Sequence, residues 1–154
     1  MAIRTREFIF LILPFFVFLS GVGCVSAKKV SFDMQRIALQ PMVEKALGEL
    51  EFAYESRSLK DFTQLLDKDF VDRGRFQPVL ESYFSSVTSP HIHFVIDMVV
   101  ADKNGVNVRL HWFKRAVTGS NVVIESEGQS QFLFKRYPDK ILKLKRIIKE
   151  NPFF

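Results

Sequence analysis

Cysteine is almost absent from this sequence of 154 residues. Cys24 is the only one, which excludes an internal disulfide and a cysteine-based zinc site. The sequence also lacks internal repeats and a glycine period, so collagen, solenoids and propellers are excluded. Disordered chains have few apolar residues, whereas 47% of this sequence is hydrophobic and 17 residues are Phe. The chain is therefore expected to form one ordinary globular domain.

The first 27 residues have the three-part pattern of an export signal. Arg4 and Arg6 precede an apolar run from Phe8 to Leu19, and small residues follow that run. The run is shorter than the ~20 residues that a membrane-spanning helix needs. We therefore expect residues 1–27 to be a cleaved signal peptide and the protein to reach a bacterial cell envelope.

Two cleavage sites are compatible with this signal. Val25-Ser26-Ala27 offers the small residues after which a signal peptidase cuts to release a soluble protein. The segment 20–24 resembles a loose lipobox, with Gly21 at the usual leucine position, and Cys24 would then become the lipidated first residue. We predict a lipoprotein of the periplasm or outer membrane, anchored in the membrane through Cys24. Cleavage after Ala27 remains the alternative.

After the signal, helices come first. Residues 28–40 are interpreted as a lead segment and residues 41–154 as the domain. Apolar residues at helical spacing predict a first helix from Val43 to about Ser56. Ser58 and Asp61 resemble a capping box that begins a short second helix. A third helix is predicted after a break at residues 72–74, with Pro78 in its first turn.

Beyond Pro90 the hydrophobic period changes from helical to alternating. This pattern predicts four strands separated by short turns: His91–Ala101, Val106–Val117, Asn121–Tyr137 and Lys140–Lys149. Short turns between long alternating strands indicate an antiparallel meander. The predicted fold class is therefore α+β, with three N-terminal helices packed on the concave face of a curved four-stranded antiparallel sheet.

The first hairpin allows two registers. A two-residue turn at Asn104-Gly105 pairs Lys103 with Val106 and mixes charged and apolar side chains on each face. A three-residue loop, residues 103–105, pairs Asp102 with Val106 instead. It gathers one apolar face: Ile92, Phe94, Ile96, Met98 and Val100 with Val106, Val108, Leu110 and Trp112. Burial of that face favours the second register, which sets Asp97 opposite His111 on the outer face.

The order of elements and several local sequences resemble the nuclear transport factor 2-like superfamily, a cystatin-like α+β cone. The similar sequences run from Leu47 to Phe70, from Ser130 to Arg136, and from Leu142 to the closing Asn151-Pro152-Phe153-Phe154. The resemblance covers about residues 40–154 and implies the cone fold. Its members include isomerases, dehydratases, cyclases, small-molecule carriers and secretion-assembly factors, so the fold alone does not give the function.

Inside the predicted cone, small residues leave room and aromatic residues surround it. Ser126, Gly128 and Ser130 share the inner face of the third strand. The candidate ligand-pocket residues are Tyr54, Tyr83, Trp112, Ser126, Ser130, Phe132 and Phe134, all of which could instead be ordinary core. Because no carboxylate or imidazole is predicted to point inward, the usual agents of general acid–base catalysis are missing there. We expect a non-catalytic protein with neither cofactor nor metal.

The exception is the pair Asp97 and His111. Its functional interpretation is an imidazole base oriented for isomerase or dehydratase chemistry, and its ordinary interpretation is a cross-strand ion pair on the solvated face. His91 and His93 lie two residues apart and could face a metal, but no third ligand is evident in the sequence.

Two surface features suggest partners. A basic surface of Lys135, Arg136, Lys143, Lys145 and Arg146 could contact anionic headgroups or could be a solvated strand face. Nucleic acid is not expected, because the chain is exported and no exposed aromatics are interleaved with these residues. The outer sheet face carries apolar side chains that suit a homodimer: Val95, Val99, Phe113, Val123 and Leu133. The leading hypothesis is an envelope protein that binds a small apolar ligand or a protein partner, and the alternatives are a scaffold or assembly factor and an enzyme.

Overall fold

Three helices precede one antiparallel sheet, in the order that the sequence predicts. The computed structural model describes residues 27–103 and 105–154, with side chains described from Ala38 onward. The helices are α1 (Ala27–Glu55), α2 (Leu59–Gln64) and α3 (Arg73–Ser86). The strands are β1 (His91–Asp102), β2 (Gly105–Val117), β3 (Val123–Arg136) and β4 (Leu142–Lys149), paired in the order β1-β2-β3-β4. The α+β prediction is confirmed.

α1 is longer than the predicted first helix. It starts at Ala27 and continues through Pro41, whereas the helical pattern begins at Val43. A proline inside a helix removes one backbone hydrogen bond. Packing of the helix against the core overrides this cost, because Leu39 and Val43, on either side of the proline, are both buried. The predicted signal, with Cys24, lies outside the described residues except for Ala27.

α2 begins at a side-chain cap, whereas α3 begins after Asp72, whose side chain makes no capping hydrogen bond. The Asp61 amide donates to Ser58 Oγ over 3.2 Å, and the Ser58 hydroxyl donates to the Asp61 carboxylate, so the predicted N-cap at Ser58 is confirmed. The reciprocal bond of a full capping box is not formed, because the Ser58 amide donates to the Ala53 carbonyl. α3 begins earlier than predicted, because the chain break falls at Asp72, which has φ of 60°. Pro78 therefore lies in the second turn of α3 and not in the first.

The predicted register of the first hairpin is wrong. Asp102 pairs with Gly105 across a two-residue loop, so neither of the two expected turns is formed. Gly105 adopts φ of 144°, and a Cβ there would collide with the backbone of Phe134. A β-bulge between Ile96 and Met98 then shifts the register by one residue.

This bulge moves the apolar face of β1 from one set of alternate residues to the other. Ile92 and Phe94, before the bulge, are buried, as is Val99 after it. Met98, predicted to point inward, is 39% exposed. Val100, also predicted to point inward, pairs with Asn107 next to the buried pair of Val99 and Val108. The prediction that Val99 lies on the outer face is wrong for the same reason, since the extra residue at Asp97 inverts the alternation.

The inner face of β3 is buried over only half of its length. Ser130, Phe132 and Phe134 are buried as predicted. Ser126, which was also predicted to point inward, is exposed, and so is Ile124 two residues before it. β4 pairs with β3 only between Ser130 and Arg136, so among the described residues the first half of β3 forms an edge of the sheet.

Both outer edges of the sheet are partly covered by the helical layer. On the β1 side, the Phe94 amide donates to Glu51 Oε1 of α1 over 2.7 Å. On the β4 side, the Leu144 amide donates to the Leu65 carbonyl, and the Asp67 amide donates to the Leu144 carbonyl. These contacts reduce the number of open strand groups that could pair with another chain.

Phe153 fills the centre of the cone. The segment after β4 turns back beneath the sheet, and the Phe153 side chain is fully buried. Its ring centroid lies between 4.8 and 6.1 Å from those of Tyr54, Phe62, Phe76, Phe94 and Phe132. These rings come from α1, α2, α3, β1 and β3, so one side chain joins both layers.

Candidate functional site

The deep half of the predicted ligand pocket is solid core. Phe132 and Phe134 are fully buried and pack edge to face at 6.1 Å, with Phe153 beside Phe132. The Ser130 hydroxyl donates to the backbone carbonyl of Glu150. These three predicted pocket residues therefore pack against one another and against the C-terminal segment.

The mouth of the cone is different, because two polar atoms are buried there without a partner. The Tyr54 hydroxyl and Trp112 Nε1 have no hydrogen-bond partner among the residues that the structure describes. Tyr54 is fully buried and Trp112 is 6% exposed. Burial raises the pKa of Tyr54, and the nearby Tyr83 hydroxyl raises it further, so the phenol keeps its proton. Leaving such groups unpaired costs about 1–3 kcal/mol each.

Tyr83 and Lys114 complete this region. The Tyr83 ring stacks on Tyr54 with centroids 5.9 Å apart. Lys114 Nζ lies 5.4 Å from the centre of the Tyr83 ring and 5.8 Å from that of Trp112. Burial lowers the pKa of Lys114. Within the described part of the chain, no carboxylate lies within 4 Å of this ammonium group.

We call Tyr54, Tyr83, Trp112 and Lys114 the mouth cluster. The room that the sequence predicted beside Gly128 is occupied by the Trp112 indole, whose Cζ2 atom lies 2.6 Å from where a Cβ of Gly128 would be. Glu150 approaches Gly128 as well, and its Oε2 accepts a hydrogen bond from the Gln129 amide at 3.3 Å. Gly128 is therefore required for Trp112 to lie flat on β3.

An open concavity of about 660 Å³ adjoins the mouth cluster through Lys114, the one of the four cluster residues that lines it. Ile92, Lys114 and Ser126 are cross-strand neighbours on one row of the sheet and line it together. Ser126, a predicted pocket residue, is thus found at the rim and not in the interior. The other lining residues are Glu51, Glu55, His91, His93, Phe113, Arg115, Glu125 and Glu127.

The candidate catalytic pair lies on the outer face of the sheet. His111 Nδ1 is 2.8 Å from Asp97 Oδ1, and His111 Nε2 is 2.8 Å from Gln129 Nε2. The predicted contact forms although Asp97 is the bulge residue and the direct partner of His111 is Val95. With Nδ1–H donating to Asp97 and Nε2 accepting from Gln129, both ring nitrogens are used. The row joins three strands and leaves the imidazole no free nitrogen for a substrate.

The other two histidines also pair with carboxylates. His91 Nδ1 lies 3.1 Å from Glu55 Oε1, and His93 Nδ1 lies 3.4 Å from Glu51 Oε1. They thereby attach β1 to α1. In the described ranges no group of three or more His, Cys, Asp and Glu is arranged to hold a metal ion.

The basic surface is divided by the strand pairing. Lys135 of β3 pairs with Lys143 of β4. Lys145 is the extra residue at the bulge in β4, because Leu144 and Arg146 on either side of it pair with adjacent residues of β3. Lys135 Nζ lies 3.7 Å from Asp67 Oδ2 and 5.4 Å from the Tyr137 ring. Lys143 approaches the same ring, at 6.0 Å. Arg136 and Arg146 are exposed.

Sequence reasoning missed the buried carboxylate at the centre of this cluster. Asp67 has no exposed surface, and it accepts hydrogen bonds from the Tyr137 hydroxyl at 2.6 Å and the Asp69 amide at 2.8 Å. Burial alone would raise the pKa of Asp67. The two hydrogen bonds and the nearby Lys135 outweigh burial and lower that pKa. Asp67 and Tyr137 are 70 residues apart, so no local pattern could have indicated the pair.

Apolar side chains remain exposed on the outer face. Val95, Phe113 and Val123 are 44%, 49% and 48% exposed, as the sequence predicted for that face. Leu133 is half-buried. None of the helices in the described part of the chain is long and apolar enough to span a membrane.

Comparison with known proteins identifies the fold. A conserved protein from Planctomyces limnophilus superposes with a TM-score of 0.65 at 16% identity, covering 74% of this chain and 96% of that one. A nuclear transport factor 2-like superfamily protein from Salmonella enterica gives 0.59 at 7% identity, covering 75% and 92%. A candidate dehydratase of the same family from Streptomyces avermitilis gives 0.58 at 14% identity, covering 71% and 94%.

No protein-family model and no curated protein matches the sequence. The structural likenesses show that the chain has the nuclear transport factor 2-like fold, which confirms the resemblance inferred from the sequence. Because that fold carries both enzymes and binding proteins, the function has to be argued from the site.

Proposed function

We propose that this chain is an exported, non-catalytic binding protein that holds a small, largely apolar molecule at the mouth of its cone. The observation that carries the proposal is the pair of buried, unpartnered polar atoms, Tyr54 Oη and Trp112 Nε1. Buried polar groups are nearly always hydrogen-bonded, and exceptions call for an explanation. A ligand entering from the adjoining concavity would supply the missing partner.

Three observations favour binding over catalysis. The imidazole of His111 points outward, and its two nitrogens are engaged by Asp97 and Gln129. The buried carboxylate of Asp67 is held by Tyr137 and is ionised, so it is not poised near neutral pH. The mouth cluster itself contains hydrogen-bond donors, aromatic rings and one cation, which suit recognition.

The binding proposal is tested by a variant whose stability and affinity should change in opposite directions. Tyr54→Phe removes an unpartnered hydroxyl, so without ligand we expect stability unchanged or raised by up to about 1 kcal/mol. Affinity for small aromatic amides, followed by the fluorescence of Trp112, the only tryptophan, should fall. The matched control is Tyr137→Phe, which removes a hydroxyl bonded to Asp67 and should destabilise the protein without affecting binding. Clear destabilisation by Tyr54→Phe would show that the hydroxyl already has a partner.

Export rests on the N-terminal signal and on Cys24. We expect the mature protein to begin at Cys24 and to carry lipid, so Cys24→Ser should release it from the membrane fraction. Mass spectrometry of the mature N-terminus distinguishes this outcome from cleavage after Ala27. An unprocessed chain in the cytoplasm would refute export in either form.

A second candidate function, assembly through the outer sheet face, is favoured by the charge distribution. Glu125 and Glu127 lie on the same face of β3, close to the exposed Phe113, and Glu125 also contacts Arg115. Lys135, which contacts Asp67 and Asp69, lies at the other end of this face. Lys143 and Arg146 of β4 neighbour that basic end. A two-fold axis across the strands would place the acidic end of one copy against the basic end of another.

Sedimentation equilibrium tests this candidate. We expect a dimer that Phe113→Glu converts to a monomer and that weakens as salt rises. Phe52→Glu is the matched control, because Phe52 is 71% exposed on α1, away from this face. A monomer at all concentrations, or equal effects of the two variants, would remove the dimer from consideration.

A further inference from the structure

The mouth cluster offers hydrogen-bond donors and a positive charge. The indole Nε1–H of Trp112 can only donate, and the ammonium group of Lys114 can only donate. The Tyr54 phenol keeps its proton and can donate as well. The Tyr54 hydroxyl and Trp112 Nε1 have no partner with hydrogen-bond geometry among the described residues, although the Tyr83 hydroxyl lies close enough to raise the pKa of Tyr54. Lys114 forms no ion pair in that part of the chain. The missing partner therefore has to be an acceptor.

Lys114 indicates that the acceptor is anionic. Its ammonium group is half-buried and faces the rings of Tyr83 and Trp112, which give a cation partial compensation for lost water. Charges removed from water are normally paired with an opposite charge. In the described part of the molecule no carboxylate lies within ion-pair distance of Lys114. The nearby Glu150 approaches the Gly128 side of the indole and is bonded to the Gln129 amide.

The surroundings specify the rest of the ligand. The concavity of about 660 Å³ reaches Lys114, and volumes of ~300–1,000 Å³ are typical for small-molecule sites. Ile92 and Phe113 line it with apolar surface. Four glutamates line it as well, and three of them have partners: Glu51 contacts His93, Glu55 contacts His91 and Glu125 contacts Arg115. An aromatic or aliphatic body would lie there while its head group reached Lys114.

We infer that the ligand of the proposed site is a small apolar carboxylic acid, whose carboxylate pairs with Lys114 beside the ring of Trp112. This inference rests on the proposed function, since it specifies the ligand of the same site. A carboxylate has two oxygens that together accept several hydrogen bonds, and charge-assisted bonds to an ammonium are the stronger kind.

A pair of isosteric probes separates the inference from the proposed function. The purified protein is titrated with 4-phenylbutyrate and with the neutral 4-phenylbutyramide, with Trp112 fluorescence as the readout. We expect the acid to bind about tenfold more tightly than the amide, as expected for a charge-assisted contact. In Lys114→Met this preference should disappear while affinity for the amide stays within about twofold.

Two further variants keep the result unambiguous. Lys114→Arg retains the charge and should retain the preference for the acid if the protein remains folded by circular dichroism. Lys143→Met removes a lysine that contacts Tyr137 instead, and it should leave both affinities unchanged. Equal binding of acid and amide, or a preference that survives Lys114→Met, overturns the carboxylate assignment and leaves the proposed function standing. Failure of both probes to bind at millimolar concentration overturns both.

Discussion

Replacing Phe153 by alanine tests whether the C-terminal segment is part of the core. The Phe153 side chain has no exposed surface and contacts five other aromatic rings, the nearest being Phe62 at 4.8 Å. Phe→Ala substitutions in cores cost ~3–5 kcal/mol, because the apolar contacts are lost and a cavity remains. Aromatic pairs add about 0.5–1.5 kcal/mol beyond area burial, so we expect a loss near the upper end, about 4–5 kcal/mol.

The assay is urea unfolding followed by Trp112 fluorescence. Small domains have m-values of about 1–3 kcal/mol/M in urea, and with an m-value of about 2 kcal/mol/M a loss of this size moves the midpoint down by roughly 2–2.5 M. The slope should not change, since the variant folds to the same surface area. Because small domains are stable by only ~5–15 kcal/mol, a partly unfolded variant at zero urea is an acceptable outcome.

The adjacent phenylalanine supplies the matched control. Phe154 is 41% exposed and touches the ring of Phe76 at 5.4 Å, so Phe154→Ala should cost about 1 kcal/mol or less. Equal losses for the two variants, or a loss below about 1.5 kcal/mol for Phe153→Ala, would refute the conclusion that Phe153 is the centre of the core.

Two further predictions concern Asp67 and Gly128. The pKa of Asp67 is lower in the folded state, so the stability contributed by its carboxylate is present above the unfolded value near 3.9 and is lost as pH falls through the folded value. Asp67→Asn should therefore lower the free energy of unfolding by about 1–3 kcal/mol at pH 7 and flatten the acid side of the stability–pH curve. Asp69→Asn, at an exposed position, should do neither. Gly128→Ala should lower the free energy of unfolding by about 1–3 kcal/mol and shift the fluorescence emission of Trp112, because its Cβ would overlap the indole. The control is Gly119→Ala, where the added methyl meets no atom, and an equal effect of that variant would contradict the proposed cause.

Local patterns predicted the elements well. Alternation after Pro90 located all four strands to within a few residues, and the N-cap at Ser58 marked the start of α2. These features depend on residues close in sequence, where spacing alone determines which side chains share a face. For the same reason, the sequence correctly predicted which side chains of β2 and of the second half of β3 point inward.

Features that depend on distant contacts could not be predicted. The predicted register of the first hairpin was wrong, because the two-residue loop between β1 and β2 is combined with a bulge at Asp97. The bulge shifts the register of β1 by one residue and so returns its apolar side chains to the core face. The ion-pair cluster at Asp67 brings together residues from opposite ends of the domain. The candidate site was only half predicted: Tyr54, Tyr83 and Trp112 were named as pocket residues. Phe132 and Phe134 belong to the solid core instead, because Phe153 packs beside Phe132. The spacing of residues in the sequence does not indicate where Phe153 inserts.

The place of Phe153 in chain order constrains how the domain can fold. Every strand precedes it, yet its ring is the common neighbour of residues from three helices and two strands. A growing chain that has not yet delivered residue 153 leaves these aromatic surfaces facing an unfilled space. Closure of the core before residue 153 is available is thereby disfavoured.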